Sequence, residues 1–377
     1  MSLSTTCRSV VQKSLFQHSS SSYRRTSSTK SFVTVHKTTA SSSSSATTFP
    51  YEGGGISHAP QQQQQVSTLV DNLLVRTREL MDTKTHHVVA YSGGIDSSLV
   101  AALLQQVYEP HKGESLQAVL GLSPAVSQEQ LHQARSVADH LQLPLVELTT
   151  DEGTDTTYIA NEGKACLACK THLYTSLETV ADFAALQQQE VGRGGGGAQL
   201  YNGTNADDLQ DSTRVGLIAA QNFQVVSPLS SITKEQVRIV AKHLGLPNWN
   251  AAASPCLRSR LALGVEATKH HLQMIEQAER HVRLLIKEDV DESSNVRVRM
   301  LAGQRAMIEV DDPNVPKVHA CLEELQPYFQ SLGFKTCAVR AFKTGSVSRK
   351  VNDTTTTTPT TTNIPSQEEM QMRAATA

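Results

Sequence analysis

The chain contains no apolar run near the ~20 residues that a membrane-spanning helix needs, and its first 51 residues contain no acid. The first absence argues against a helical membrane protein. The second belongs to a stretch in which about half of the first fifty residues are Ser or Thr and Arg8, Lys13, Arg24, Arg25, Lys30 and Lys37 are the charged ones. That is transit-peptide composition. Val10, Val11, Leu15 and Phe16 can share an amphipathic turn with Arg8 and Lys13, which favours a mitochondrial address over a plastid or cytoplasmic one. An excess of positive charge is missing too: the formal net charge is −2, and without the six presequence bases the remainder is plainly acidic. A generic nucleic-acid partner is not expected. With six cysteines and no secretory signal, the thiols are expected to be reduced and to serve metal binding or catalysis rather than disulfides.

With 377 residues, 38% of them hydrophobic, the chain can bury a sizeable core, and two domains with loose ends are expected. After "QQQQQ" a helix leads into alternating strands and helices. The strand candidates are "HHVVAYS", "LQAVLGLS", "LPLVELTT", "QLYNGTN" and "FQVVSPL"; helical stretches such as "SQEQLHQARSVADHLQ" and "TKEQVRIVAKHLG" separate them. This alternation predicts a parallel sheet covered by helices on both faces. Ligand then belongs at the carboxyl ends of the strands, where "SGGIDS", "GTNADD" and "SPL" fall. "VGRGGGGAQ" reads as a flexible insertion. The expected domains are 66–260 and a smaller α+β unit at 261–348, with disordered ends at 1–60 and 351–377.

"AYSGGIDSSLV" places two glycines and several hydroxyls between a β-branched run and an apolar-periodic helix. The amides of Gly93, Gly94 and Ile95, with Ser92 and Ser97 beside them, can form one concavity at a helix N-terminus, where an anion is favoured. A Walker loop would need a lysine before its Ser/Thr, and none is present. Ser-Gly-Gly-x-Asp-Ser is instead the signature of PP-loop ATP pyrophosphatases, which split ATP between its α- and β-phosphates. In that role the loop holds pyrophosphate and Asp96 helps to position Mg²⁺; the bland reading is a βα turn with an Asp cap.

"KACLACKTHLY" carries Cys166 and Cys169 one helical turn apart, and "SPCLRSR" supplies Cys256. Three such thiols suit three irons of a cubane cluster. They also suit zinc with His172 as a fourth ligand, or a redox pair. Cys321 and Cys337 lie in apolar-periodic elements and read as core residues.

Taken in order, "YSGGIDSSLV", "KACLACKTHLY", "NGTNADDLQD" and "SPCLRSRLALG", with the later "VRVR" and "TGSVS", resemble the LarE family of ATP-dependent sulfur transferases from about Val66 to Ser348. The resemblance implies an α/β fold: a parallel-sheet PP-loop domain of the adenine nucleotide alpha hydrolase-like kind, with the smaller domain C-terminal to it. It further implies ATP and Mg²⁺ as cofactors, and a small-molecule carboxylate substrate related to a dicarboxylated pyridinium mononucleotide. The carboxylate is adenylated with release of pyrophosphate, sulfur then displaces AMP, and the protein is a homo-oligomer. In single-cysteine members the residue matching Cys256 gives up its own sulfur. Other members hold a [4Fe-4S] cluster on cysteines matching Cys166, Cys169 and Cys256, and since all three are present the cluster is expected here. The matching motifs implicate Asn205, Asp207 and Asp208 in ordering the loop over ATP, or in merely capping the next helix, and Ser259, Arg260, Arg297 and Arg299 in holding the nucleotide, the arginines through its phosphate; the bland reading of the arginines is a solvated surface. The chain departs from the family at "DDLQDSTRVG", which has an extra residue and Val215 for proline, and at "SRLALG", which lacks a Pro and a Tyr. Both departures border the substrate pocket.

Rival expectations are an amide-forming PP-loop ligase of the NAD or GMP synthase type, a tRNA thiolase, and a nucleotide-binding module without catalysis. The first has no use for three cysteines, and the second lacks a basic stripe.

Overall fold

In a computed structural model, residues 60–81, 86–109, 111, 114–190, 197–286 and 294–343 are described. The expected presequence up to residue 59, most of the glycine-rich insertion, "TGSVS" and the Thr-rich end lie outside the described residues. Among the described residues no helix is long and apolar enough to cross a membrane.

Helix α1 (Pro60–Leu80) precedes β1 (His86–Tyr91), α2 (Ile95–Val107), β2 (Ser115–Leu122), α3 (Gln128–His140) and β3 (Leu145–Thr149). Then come α4 (Thr156–Ala160), α5 (Ala165–Glu190), β4 (Ala198–Tyr201), α6 (Ala206–Gln210), α7 (Gly216–Asn222) and α8 (Lys234–His243). Strands β1 to β4 form one parallel sheet in the order β3-β2-β1-β4. Strand β1, paired on both sides, is buried on both faces around its Val88–Val89 pair. Val89 and Tyr91 point into a core built with α1, α2, α3 and α8, while Val88 packs with Tyr174, Leu177 and Ala219 of α5 and α7 on the opposite face. Two of the helices begin where side chains satisfy their first amides: Ser127 with Gln130, and Thr233 with Gln236, form capping boxes for α3 and α8.

The fifth strand expected at "FQVVSPL" is reduced to a single bridge between Tyr201 and Val226. Two hydrogen bonds flank it, Val226 N to Leu200 O and Asn202 N to Val226 O. Pro228 then opens a short 3₁₀ turn and ends the pairing.

A second, smaller sheet holds β5 (Val296–Leu301), β6 (Arg305–Val310) and β7 (Thr336–Ala341), with β5 antiparallel and β7 parallel to β6. Helix α9 (Lys269–Leu285) lies on it with α10 (Val315–Ala320) and α11 (Leu322–Leu332). Its core also takes in Ala125, Tyr158 and Ala165 from the first unit. The segment carrying Cys256 runs along that seam, anchored by Leu257 N donating to Ala125 O at 2.7 Å.

Candidate active site

The loop after β1 has a tightly determined shape. Gly93 has φ +72°, and a Cβ there would lie 2.4 Å from Ala134 Cα on α3, so both backbone conformation and space require glycine. Gly94 is extended (φ −73°, ψ 158°) and a Cβ on it would meet only Ser92 Oγ, at 3.4 Å. Ser97 Oγ accepts from Ser92 N and donates to Gly94 O, which closes the loop on itself. The buried Asn248 side chain donates to Gly93 O at 2.8 Å and to Ser98 Oγ at 3.2 Å. No side chain caps α2, so its first-turn donors and dipole face the loop concavity that Ser92, Gly93, Gly94, Ile95 and Ser97 surround.

The loop after β4 closes on the same helix end. A Cβ on Gly203 would fall 2.6 Å from Asp96 Cβ and 2.8 Å from Ser97 N. Asn205 Nδ2 donates to Asp96 Oδ1 at 3.2 Å, and Lys234 at the start of α8 pairs with Asp96 Oδ2. Asp207 accepts from Lys234 N, and Asp208 closes the Asn205 capping box and pairs with Arg214 at 2.8 Å. Burial raises the pKa of Asp208, opposed by Arg214. Of the three residues expected over ATP, Asn205 therefore reaches the acid of the loop, whereas Asp207 and Asp208 are committed to helix starts and an ion pair.

Cys166 stands in the first turn of α5 and Cys169 at the start of the second, α5 following β3 after a 3₁₀ turn and α4, and Cys256 precedes the 3₁₀ turn Leu257–Arg260. Cys169 and Cys256 pack against one apolar cluster. Burial pushes the Cys169 thiol up to about 12, with the nearby Cys256, Glu152 and Cys166 adding to the rise. Arg258 Nη2 donates to Cys166 Sγ at 2.8 Å, and its Nη1 donates to Asn161 Oδ1 at 2.9 Å. The three thiols thus lie within electrostatic reach of one another. As arranged they are not a metal cage: among the described residues no group of three or more His, Cys, Asp or Glu side chains is set to hold a metal ion, and a guanidinium occupies Cys166. The zinc alternative fails as well, because both ring nitrogens of His172 are taken by Asp151 (2.8 Å) and Asp155 (3.0 Å).

Ser259, Arg260, Arg297 and Arg299 form a separate group under the second sheet. Arg260 bonds Glu279 at 2.9 Å, the Ser259 hydroxyl and the carbonyls of Pro255 and Cys256; Arg299 pairs with Glu309 at 2.8 Å and bonds Ser259 O. Among the described residues Arg297 donates to the carbonyls of Val296 and Ala253, with Glu279 within electrostatic reach. Burial beside Arg260 lowers its pKa to about 10. The solvated-surface reading of Arg297 and Arg299 is overturned, since they are 3% and 6% exposed. Arg260 and Arg299 brace the Cys256 turn, and among the described residues Arg297 is a buried cation without an ion pair.

Four residues were not singled out in the sequence. Lys234 meets Asp96, and Lys170 lies over the Tyr174 ring within electrostatic reach of all three thiols. Arg258 holds Cys166. Glu152 is buried, with Oε2 unpartnered, beside Cys169. Lysine just after "CLAC" and arginine between Cys256 and Ser259 were the available signals.

Residues 70–161 match the asparagine synthase family. An uncharacterized protein of Synechocystis is 31% identical over 287 residues, spanning 74% of this chain and 98% of its own length. The pyridinium-3,5-bisthiocarboxylic acid mononucleotide synthase of Lactiplantibacillus plantarum is 28% identical over 272 residues, 71% of this chain and 89% of its own. The tRNA-specific 2-thiouridylase of Pelotomaculum thermopropionicum is 31% identical over 202 residues, only 45% of this chain and 54% of its own.

Proposed function

The chain belongs to the LarE-like PP-loop family, and from that premise we propose that it is an ATP-dependent sulfur transferase that turns a small-molecule carboxylate into a thiocarboxylate. The observation that carries the reading is the meeting of two chemistries at one sheet edge. An uncapped, glycine-shaped anion loop follows β1, and three thiols within electrostatic reach of one another follow β3 and α8.

In this reading the substrate carboxylate attacks the α-phosphorus of ATP. The α–β anhydride bond breaks, and pyrophosphate leaves into the loop at Ser92–Ser97, where backbone amides and Lys234 neutralise its charge. Asp96 exchanges Lys234 for the Mg²⁺ that accompanies the phosphates. The Cys256 thiolate then attacks the acyl carbon, and AMP departs with the electron pair of its bond to that carbon. Loss of the Cys256 α-proton and cleavage of its Cβ–S bond would release the thiocarboxylate and leave dehydroalanine. Arg297 supports binding of an anionic substrate tail, such as the phosphate of a pyridinium mononucleotide.

A second source of sulfur, a [4Fe-4S] cluster on Cys166, Cys169 and Cys256 supplying inorganic sulfide, would require Arg258 to release Cys166 and the three thiols to draw together. Anaerobic reconstitution separates the two. About four irons per chain, lost on Cys166→Ala, mark the cluster. An iron-free protein that performs one turnover and is left with dehydroalanine at position 256, its sulfur carried off in the thiocarboxylate, marks the sacrificial cysteine. The relatives named for tRNA thiolation align over about half the chain, and tight, steeply salt-dependent tRNA binding would favour that rival. The basic, Ser-rich presequence supports a mitochondrial address, which fractionation of a tagged full-length chain tests.

A further inference from the structure

Helix α3 touches both the phosphate loop and the segment that carries Cys256, and it does so with one face. Ala134 packs so closely on the loop that Gly93 has no room for a Cβ, and the Tyr91 hydroxyl fixes that turn to β1 by donating to Ala134 O at 3.0 Å. One helical turn earlier, on the same face, stands Gln130. Its Oε1 accepts from Ser127 N at 3.1 Å, and its Nε2 donates to Ser254 O at 2.6 Å. Because Ser127 N can only donate and Ser254 O can only accept, a single orientation of the amide serves both. Ser254 O belongs to the peptide plane that enters Pro255. The proline ring locks its φ at about −65°, and the residue before a proline is confined to extended backbone. A fixed Ser254 carbonyl therefore leaves the Pro255 ψ as the soft backbone torsion ahead of the Cys256 amide. Arginines hold the carbonyls on either side, Arg297 at Ala253 and Arg260 at Pro255 and Cys256, so four successive carbonyls have a side-chain donor. Of these three donors, Gln130 is the one that comes from the helix against the phosphate loop.

We infer that Gln130 is a positioning residue that sets the Cys256 sulfur relative to the adenylate formed at the phosphate loop. The step it serves is the one in which the Cys256 thiolate forms the new bond to the acyl carbon and AMP leaves with the electron pair of the bond that breaks. Such an attack needs its two atoms held at about 3–3.5 Å, and α3 gives the phosphate loop and the Ser254–Cys256 segment one common support. The inference rests on the sulfur-transfer reading for its purpose, and not for its geometry.

Two substitutions take the two ends of the amide apart. Gln130→Glu keeps the acceptor for Ser127 N, and with it the capping box, but turns an acceptor towards Ser254 O. Gln130→Lys keeps a donor for Ser254 O and loses the acceptor. Were capping the whole purpose of the residue, the lysine variant alone would suffer. In the full-length protein, prepared anaerobically, Gln130→Glu should slow single-turnover thiocarboxylate formation by roughly tenfold or more, with carboxylate-dependent pyrophosphate–ATP exchange and the KM for ATP unchanged. Gln130→Lys should transfer sulfur at close to the wild-type rate while its urea midpoint falls. A second readout needs neither ATP nor substrate: alkylation of Cys256 by iodoacetamide, followed by mass spectrometry with Cys166 as internal reference. It should quicken by roughly threefold or more in Gln130→Glu, because a loosened segment opens more often, and stay near wild type in Gln130→Lys. Wild-type transfer and alkylation in Gln130→Glu would overturn the assignment, as would a lysine variant as impaired as the glutamate one. Failure of the transferase reading would appear instead as absent AMP release in wild type, and the alkylation contrast between the two variants then decides whether Gln130 places Cys256.

Discussion

The two glycines of the phosphate loop have different reasons for being glycine, and substituting each with alanine separates fold from function. For Gly93→Ala, a left-handed φ of +72° costs an ordinary residue about 1–2 kcal/mol. The new Cβ would sit 2.4 Å from Ala134 Cα, so α3 must retreat, at roughly 1–3 kcal/mol of repacking. That retreat also loosens the Tyr91 hydroxyl bond to Ala134 O, 3.0 Å long and worth about 1 kcal/mol. The expected loss is about 4 kcal/mol, seen in the urea midpoint and as a fall of ~10 °C in melting temperature. Ala134→Gly should not rescue it, because the clash is with backbone as well as with a methyl group. Gly94→Ala has no such conflict: its backbone is extended and its nearest neighbour is Ser92 Oγ at 3.4 Å. It should cost less than about 1 kcal/mol, yet raise the KM for ATP by roughly tenfold, because a Cβ keeps a phosphate from the backbone. A Gly93→Ala protein of wild-type stability, or a Gly94→Ala protein of wild-type affinity for ATP, would refute the reasoning.

Replacing Lys234 by Ala should reduce kcat/KM for pyrophosphate release by about 10²-fold while stability moves by under about 1 kcal/mol, because its ion pair with Asp96 is partly exposed; steady-state kinetics beside a urea titration checks both. Cys256→Ala should abolish thiocarboxylate formation but leave carboxylate-dependent exchange of labelled pyrophosphate into ATP detectable, which separates the two half-reactions. Burial lowers the pKa of His87 to about 4, outweighing the nearby Glu114. The unfolded chain then binds the extra proton first as pH drops below 6.5, so stability should decline from there towards pH 4 by about 3 kcal/mol in total. Urea midpoints across that range should show a smaller decline in His87→Gln.

The parallel sheet and its loaded edge were legible because β-branched runs, helical periodicity and the glycine-hydroxyl loop are local signals, and each strand-to-helix switch lies within a few residues. The strand expected at 223–229 stops for an equally local reason, Pro228, which opens a 3₁₀ turn. What the sequence could not offer were partnerships across long separations. Lys234 meets Asp96 across 138 residues, and Arg258 meets Cys166 across 92. Spacing alone could gather three thiols but not reveal that a guanidinium stands among them. It likewise placed Arg297 and Arg299 on one face of β5 without revealing that the face is inward. Arg299 forms an ion pair there with Glu309.

The account turns on where ATP is cut. The anaerobically prepared protein, mixed with ATP labelled at the α-phosphate and a dicarboxylated pyridinium mononucleotide, should release labelled AMP together with pyrophosphate, and the carboxylate should acquire sulfur. Release of labelled ADP and inorganic phosphate instead would contradict it.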